Sequence, residues 1–131
     1  GGTSIVTLNK VDFGVVGGVY SHIHAALGAS ITIIGNYTIS GNSGNSHYYA
    51  IENGVIIIGA VTVTLSGTPT YQRFALAYMA GLIRSAATFS GSGTGVRYVA
   101  IKNGSFEVYS AGANYFPGNS AGAADATSSY S

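Results

Sequence analysis

Three stretches decide how this chain folds: His47-Tyr48-Tyr49-Ala50-Ile51-Glu52-Asn53-Gly54, Phe74-Ala75-Leu76-Ala77-Tyr78-Met79-Ala80-Gly81 and Arg97-Tyr98-Val99-Ala100-Ile101-Lys102-Asn103-Gly104. Aligned, they end on glycines at 54, 81 and 104, so the unit recurs after 27 and then 23 residues. A small-residue pair follows each block, at Gly59-Ala60, Ser85-Ala86 and Ser110-Ala111, with an earlier copy at Gly28-Ala29. A period in this range marks a stacked repeat, in which each unit buries its apolar face only against its neighbours.

Inside the unit, strand signals dominate. Ser30-Ile31-Thr32-Ile33-Ile34, Val55-Ile56-Ile57-Ile58 and Val61-Thr62-Val63-Thr64-Leu65 are short β-branched runs. Gly, Asn and Ser punctuate them at Gly35-Asn36, Gly41 to Asn45, Asn53-Gly54, Ser66 to Pro69 and Gly91-Ser92-Gly93. Taken alone, Tyr71 to Ser85 has helical composition; its place in the repeat predicts a strand instead. Three strands per unit of about 25 residues fits one coil of a parallel β-helix. The predicted fold is therefore all-β: a right-handed parallel β-helix of about four coils over residues 1–119. Residues 1–18 form an incomplete first coil, and the others run roughly over 19–46, 47–72, 73–96 and 97–119. Ile51, Tyr78 and Ile101 are the candidate inward ladder. The rival is an antiparallel β-sandwich, because Asn-Gly is also the favoured hairpin turn. Against it, the corners recur at the coil period rather than every 8–12 residues, and Ile31–Ile34 and Val55–Ile58 lack the alternation of a half-exposed strand. Residues 120–131, mostly Ala, Ser, Gly and Thr, read as a linker or C-terminal arm.

Composition narrows the function. Charged residues are 7% of the 131 and apolar ones 47%, against roughly 25% charged in ordinary globular domains. Either other copies of the chain cover much of the surface, or the surface is a neutral hydrogen-bonding one. The net charge of +1 gives no electrostatic case for nucleic acid. There is no cysteine for a disulfide or a thiolate site. No run of about 20 apolar residues could span a bilayer. The start at Gly1-Gly2, without Met, suggests a processed product or a piece of a longer chain.

The Asn-Gly corners, Leu65-Ser66-Gly67-Thr68-Pro69, Thr88 to Tyr98 and above all the closing Tyr115-Phe116-Pro117-Gly118-Asn119-Ser120-Ala121-Gly122 resemble a repeat region of phage and prophage tail-fibre or tailspike-like β-helix proteins. The resemblance covers about residues 20–122. It implies a virion or extracellular appendage, frequently a homotrimer, that touches bacterial surface polysaccharide. The expected function is a structural, receptor-contacting segment that binds glycan without turnover. Two alternatives stand beside it: a polysaccharide-degrading tailspike fragment, and a self-assembling extracellular filament or coat subunit.

Glycan-cutting chemistry needs paired carboxylates. Only Asp12, Glu52, Glu107 and Asp125 are available, and Glu52 and Glu107 do not stack in the coil register. No catalytic residue is assigned. The glycan-binding candidates are Tyr48, Tyr71, Arg73, Arg97 and Tyr98, since Arg and Tyr side by side suit stacking and hydrogen bonding to sugars; the same residues could equally cover a β-face or a subunit contact. His22-Ile23-His24 places two imidazoles on one face of a strand, and in a trimer such a pair could ligate a metal. Two strand histidines are more often simply polar surface, so no metal and no cofactor is assigned.

Overall fold

The structure, a computed structural model, describes residues 3–7 and 11–131. It is a parallel β-solenoid of about five turns, with fifteen strands among the described residues. The first turn holds β1 (Thr3–Thr7), β2 (Val11–Phe13) and β3 (Ile23–Ala25), the second β4 (Ser30–Ile34), β5 (Tyr37–Ile39) and β6 (Tyr48–Ile51). The third holds β7 (Val55–Ile58), β8 (Thr62–Leu65) and β9 (Thr70–Tyr78), the fourth β10 (Leu82–Ser85), β11 (Thr88–Ser90) and β12 (Thr94–Ile101). The last comprises β13 (Ser105–Glu107), β14 (Ala123–Ala124) and β15 (Ser129–Tyr130).

The strands line up in three sheets: β1-β4-β7-β10-β13-β15 (sheet I), β2-β5-β8-β11 (sheet II) and β3-β6-β9-β12-β14 (sheet III). Every pairing among the described residues is parallel, including both isolated bridges. An antiparallel sandwich is thereby excluded, and Tyr71 to Ser85 forms two strands joined by a tight turn, not a helix. The stack is about a turn longer than the four coils expected. The extra pairing comes from the tail: β14 pairs with β12 and β15 with β13, although those residues carry no side-chain signal for a strand. Asp125 helps to fasten them. Its carboxylate accepts hydrogen bonds from the backbone N–H of Lys102 and of Thr127, at 2.8 and 3.0 Å. Those bonds hold its pKa down at about 2.

The corner between sheets III and I is the repeating joint. At Glu52-Asn53, Met79-Ala80 and Lys102-Asn103 two successive residues take positive φ, between 49° and 65°. In each, the third residue's N–H closes the turn: Gly54 to Ile51 O, Gly81 to Tyr78 O, Gly104 to Ile101 O, at 2.9–3.1 Å. This is the left-handed turn that elsewhere closes hairpins. Here its flanking strands pair with the turns above and below instead. Leu27-Gly28 makes the same joint at φ 54° and 73°, closed by Ala29 N–H on Ala26 O. Gly28-Ala29 thus stands in register with Asn53-Gly54, not with Gly59-Ala60 as the pair spacing suggested.

From a buried alanine of sheet III to the first residue of the next sheet I strand is always five residues: Ala25 to Ser30, Ala50 to Val55, Ala77 to Leu82, Ala100 to Ser105. Between matched positions of sheets II and III the chain takes 9 to 12 residues: Val11 to Ile23, Tyr37 to Tyr48, Val63 to Ala75, Phe89 to Tyr98. The joint is constant and the opposite corner varies.

Register agrees with the repeat, but phase does not. Ile51, Tyr78 and Ile101 do lie side by side, yet they are half-buried on the outer face; the inward column is Ala25–Ala50–Ala77–Ala100, at most 1% exposed. Sheet I adds the inward columns Ile56–Ile83–Phe106 and Ile33–Ile58–Ser85. In the fifth turn no strand continues sheet II. Residues 108–122 close that side instead, with Phe116 at 0% exposure packed among Phe74, Phe89, Phe106 and Tyr115.

A methyl added at Gly81 would sit 2.1 Å from the Ala50 carbonyl oxygen, whereas one at Gly59 meets nothing nearer than 3.4 Å. Gly81→Ala is therefore expected to cost about 1–3 kcal/mol in urea unfolding, and Gly59→Ala less than about 1 kcal/mol. Asp125→Asn should raise amide exchange in residues 123–131 selectively, because it weakens the acceptor holding the tail to Lys102.

Candidate functional site

The outer face of sheet III carries most of the exposed chemistry. Its register sets His24, Tyr49, Leu76 and Val99 in one row and Ile51, Tyr78 and Ile101 in the next. The His24 and Tyr49 rings stack, centroids 4.7 Å apart and 10° from parallel. Tyr49 and Tyr78 are diagonal neighbours, a relation that places Cα atoms about 7–8 Å apart and within reach of aromatic side chains. Leu76, opposite Tyr49, is only 3% exposed and forms an apolar floor. Around this patch are polar arms. Lys102 Nζ donates to Tyr78 Oη at 3.2 Å and lies 5.3 Å from its ring centroid. Arg73 Nη1 donates to Gln72 Oε1 at 2.8 Å, while its buried Nε has no partner. Burial pushes the Tyr49 hydroxyl pKa up, and nearby Arg73 partly offsets this. The arrangement can stack a sugar-sized apolar face and offer donors at its rim.

The structure distributes the sequence candidates unevenly. Tyr48, Tyr71 and Tyr98 point into the solenoid, at 0%, 4% and 8% exposure, so their rings do not meet a surface ligand. Tyr48 and Tyr98 lie two turns apart in one inward column, with Ala75 between them. Arg97 is half-buried and clamps the closing segment, its Nη1 donating to Phe116 O at 2.8 Å and to Asn114 O at 3.4 Å. Of the five, Arg73 alone stands beside the outer aromatic patch. Tyr49, Tyr78 and Lys102 were missed. The alternation within His47 to Ile51 holds the signal, once Ala50 is recognised as inward.

His22 and His24 do not share a face. His24 is exposed on Tyr49, whereas His22 lies before β3, at the corner, and its ring turns inward. Both His22 nitrogens are already bonded, so the two imidazoles are not a ligand pair. Among the described residues no group of three or more His, Cys, Asp or Glu could hold a metal ion. The carboxylates are dispersed too: Asp12 accepts from Ser40 on sheet II, Glu107 from Tyr109 N–H at 2.7 Å, and Glu52 sits in the sheet III–I corner.

Inside the second turn runs a chain of polar hydrogen bonds whose direction follows from donor logic. Gly14 O can only accept, so His22 Nε2, 2.7 Å away, carries a proton. In the neutral ring His22 Nδ1 then accepts, and His47 Nδ1 donates to it at 2.9 Å. His47 Nε2 is left to accept from Tyr37 Oη at 2.8 Å, and Tyr37 accepts in turn from the Tyr48 hydroxyl. Burial lowers the pKa of both imidazoles and raises that of both phenols, so all four groups are held neutral.

No family model, curated protein or solved structure matches this chain.

The bond directions predict unlike tautomers. At pH 7.5 the nitrogen NMR shifts should show His47 protonated on Nδ1 and His22 on Nε2; the reverse pattern at either ring would break the chain as described.

Proposed function

We propose that the chain is a right-handed parallel β-helix segment of a tail-fibre or tailspike-like extracellular appendage. It contacts bacterial surface polysaccharide through the outer face of β3, β6, β9 and β12, without turnover, as part of a homo-oligomer. The observation that carries this reading is the diagonal pair Tyr49 and Tyr78 over Leu76, rimmed by His24, Gln72, Arg73 and Lys102 on one rigid sheet. Aromatic platforms with adjacent donors suit neutral polyhydroxylated ligands. The low charge of the whole molecule suits both such a ligand and burial against identical neighbours. Right-handed winding is supported by the general rule for connections between parallel strands of one sheet. A tail-fibre-like setting is supported by the closing Tyr115 to Gly122 motif, which here seals the end of the solenoid around Phe116.

A panel of bacterial capsular polysaccharides and lipopolysaccharides provides the test. At least one should be retained by the purified chain with no release of reducing or unsaturated ends. Tyr49→Ala and Tyr78→Ala should each weaken retention roughly tenfold, about 1.4 kcal/mol. Thr64→Ala, on the exposed face of sheet II, should leave it unchanged. Binding indifferent to both tyrosine changes would refute the face, and release of sugar ends would establish the degrading alternative instead.

A further inference from the structure

The buried polar chain does more than fill space: it joins a loosely packed loop to the core. Loop 14–20 runs between β2 and β3 and leaves Val15, Val19 and Tyr20 69–77% exposed, so apolar burial holds it weakly. Its attachments are polar: Val16 N–H to Asn42 O and Gly44 N–H to Val16 O, both 2.8 Å, Ser43 Oγ–H to Tyr20 O at 2.9 Å, Asn45 N–H to Tyr20 O at 3.2 Å and Nδ2–H to Val19 O at 3.3 Å, and His22 Nε2–H to Gly14 O. The Ser43 hydroxyl also reaches Ser46 O at 2.9 Å, and the His22 bond continues further, through His47 on the second turn.

We propose that the His22–His47 hydrogen bond is an acid-opened latch between the first and second turns. A proton added at His22 Nδ1 places two N–H donors face to face. If His47 shifts its own proton to Nε2 to accept the bond, Tyr37 must turn its O–H toward Tyr48, and the Tyr48 hydroxyl then loses its acceptor inside the core. The first route leaves two donors unmatched and the second leaves one, each with a charge in a part-buried site, which is costly in an apolar interior. A second proton would set two imidazolium rings against each other, centroids 5.1 Å apart.

The surroundings offer little relief. Phe13 of β2, Tyr37 of β5, Tyr48 of β6, and Tyr71 and Phe74 of β9 pack around the two rings. Asp12 is the one carboxylate that acts on His22, and its effect is smaller than that of burial. His22 also lines an open cavity of about 400 Å³ with Val11, Phe13, Ile23, Ile31 and Ile33, which gives solvent protons a route to the ring. For the sign, the unfolded imidazole titrates at 6.5 and the folded ones lower. The unfolded chain binds more protons in that window, so the latch is intact above pH 6.5 and weakens as pH falls below it.

Amide exchange on the full chain at pH 7.5, 6.0 and 5.0, corrected for intrinsic rates, tests this. The amides of Val16, His22, Ile23 and Gly44 should lose protection by up to about tenfold per pH unit for each imidazole that titrates, while those of Ile83 and Phe106 hold. His22→Gln should cut the pH dependence to at most the share that His47 carries, and His24→Gln, altered on the outer face, should keep it in full. Flat protection from pH 7.5 to 5.0, equal loss across all turns, or an unchanged profile in His22→Gln would each overturn the latch. Should His22→Gln fail to fold, the wild-type profile and His24→Gln decide alone: selective loss retained in His24→Gln supports the latch, and its disappearance there assigns the effect to His24.

Discussion

Everything in this fold depends on how closely one turn can lie on the next at the corner between sheets III and I. The backbone there passes directly over the carbonyls of the turn below: Gly54 over Ala25, Gly81 over Ala50, Gly104 over Ala77. A side chain at any of these glycines would occupy the space of an oxygen. Clearance at this edge lets strands above and below meet in parallel register, and register lets each apolar column run continuously. The alanines of the inward column belong to the same constraint, because a larger side chain beside so tight a joint would force the turns apart.

The interior is filled differently at its two ends. Sheet I contributes aliphatic columns through β7 and β10, which need no partners beyond contact. On the side of sheets II and III aromatic rings join the aliphatic filling, and among them Tyr37, His47 and Tyr48 carry polar groups that find partners, whereas the buried Tyr71 hydroxyl has none. Tyr37, His47 and Tyr48 satisfy one another because they sit on adjacent strands of a single turn. Toward the last turn the same side is closed by Tyr115, whose hydroxyl donates to Ala87 O at 2.7 Å, and by Phe116 beneath it.

How much of this the sequence made legible differs from one feature to the next. Register was readable, because Asn53-Gly54, Ala80-Gly81 and Asn103-Gly104 mark the same backbone joint each time. Phase was not, because Ala50 and Ile51, or Ala77 and Tyr78, are apolar on both faces, and alternation disappears when both faces carry apolar side chains. That one-residue ambiguity puts the sequence candidate at inward Tyr48 rather than at outward Tyr49. His22 misled for another reason: it precedes the strand, so the two-residue rule that relates it to His24 does not apply. The pairing of Ala123-Ala124 and Ser129-Tyr130 is made by main-chain groups, which composition cannot report.

The fixed five-residue joint and the elastic span between sheets II and III have an evolutionary corollary. Lengthening the chain at the joint would throw every later strand out of alignment. At the opposite edge the added length can bulge into solvent while the ladders on both sides stay matched. That edge is the place where insertions could accumulate, or a foreign loop be grafted, without disturbing the stack that supports it.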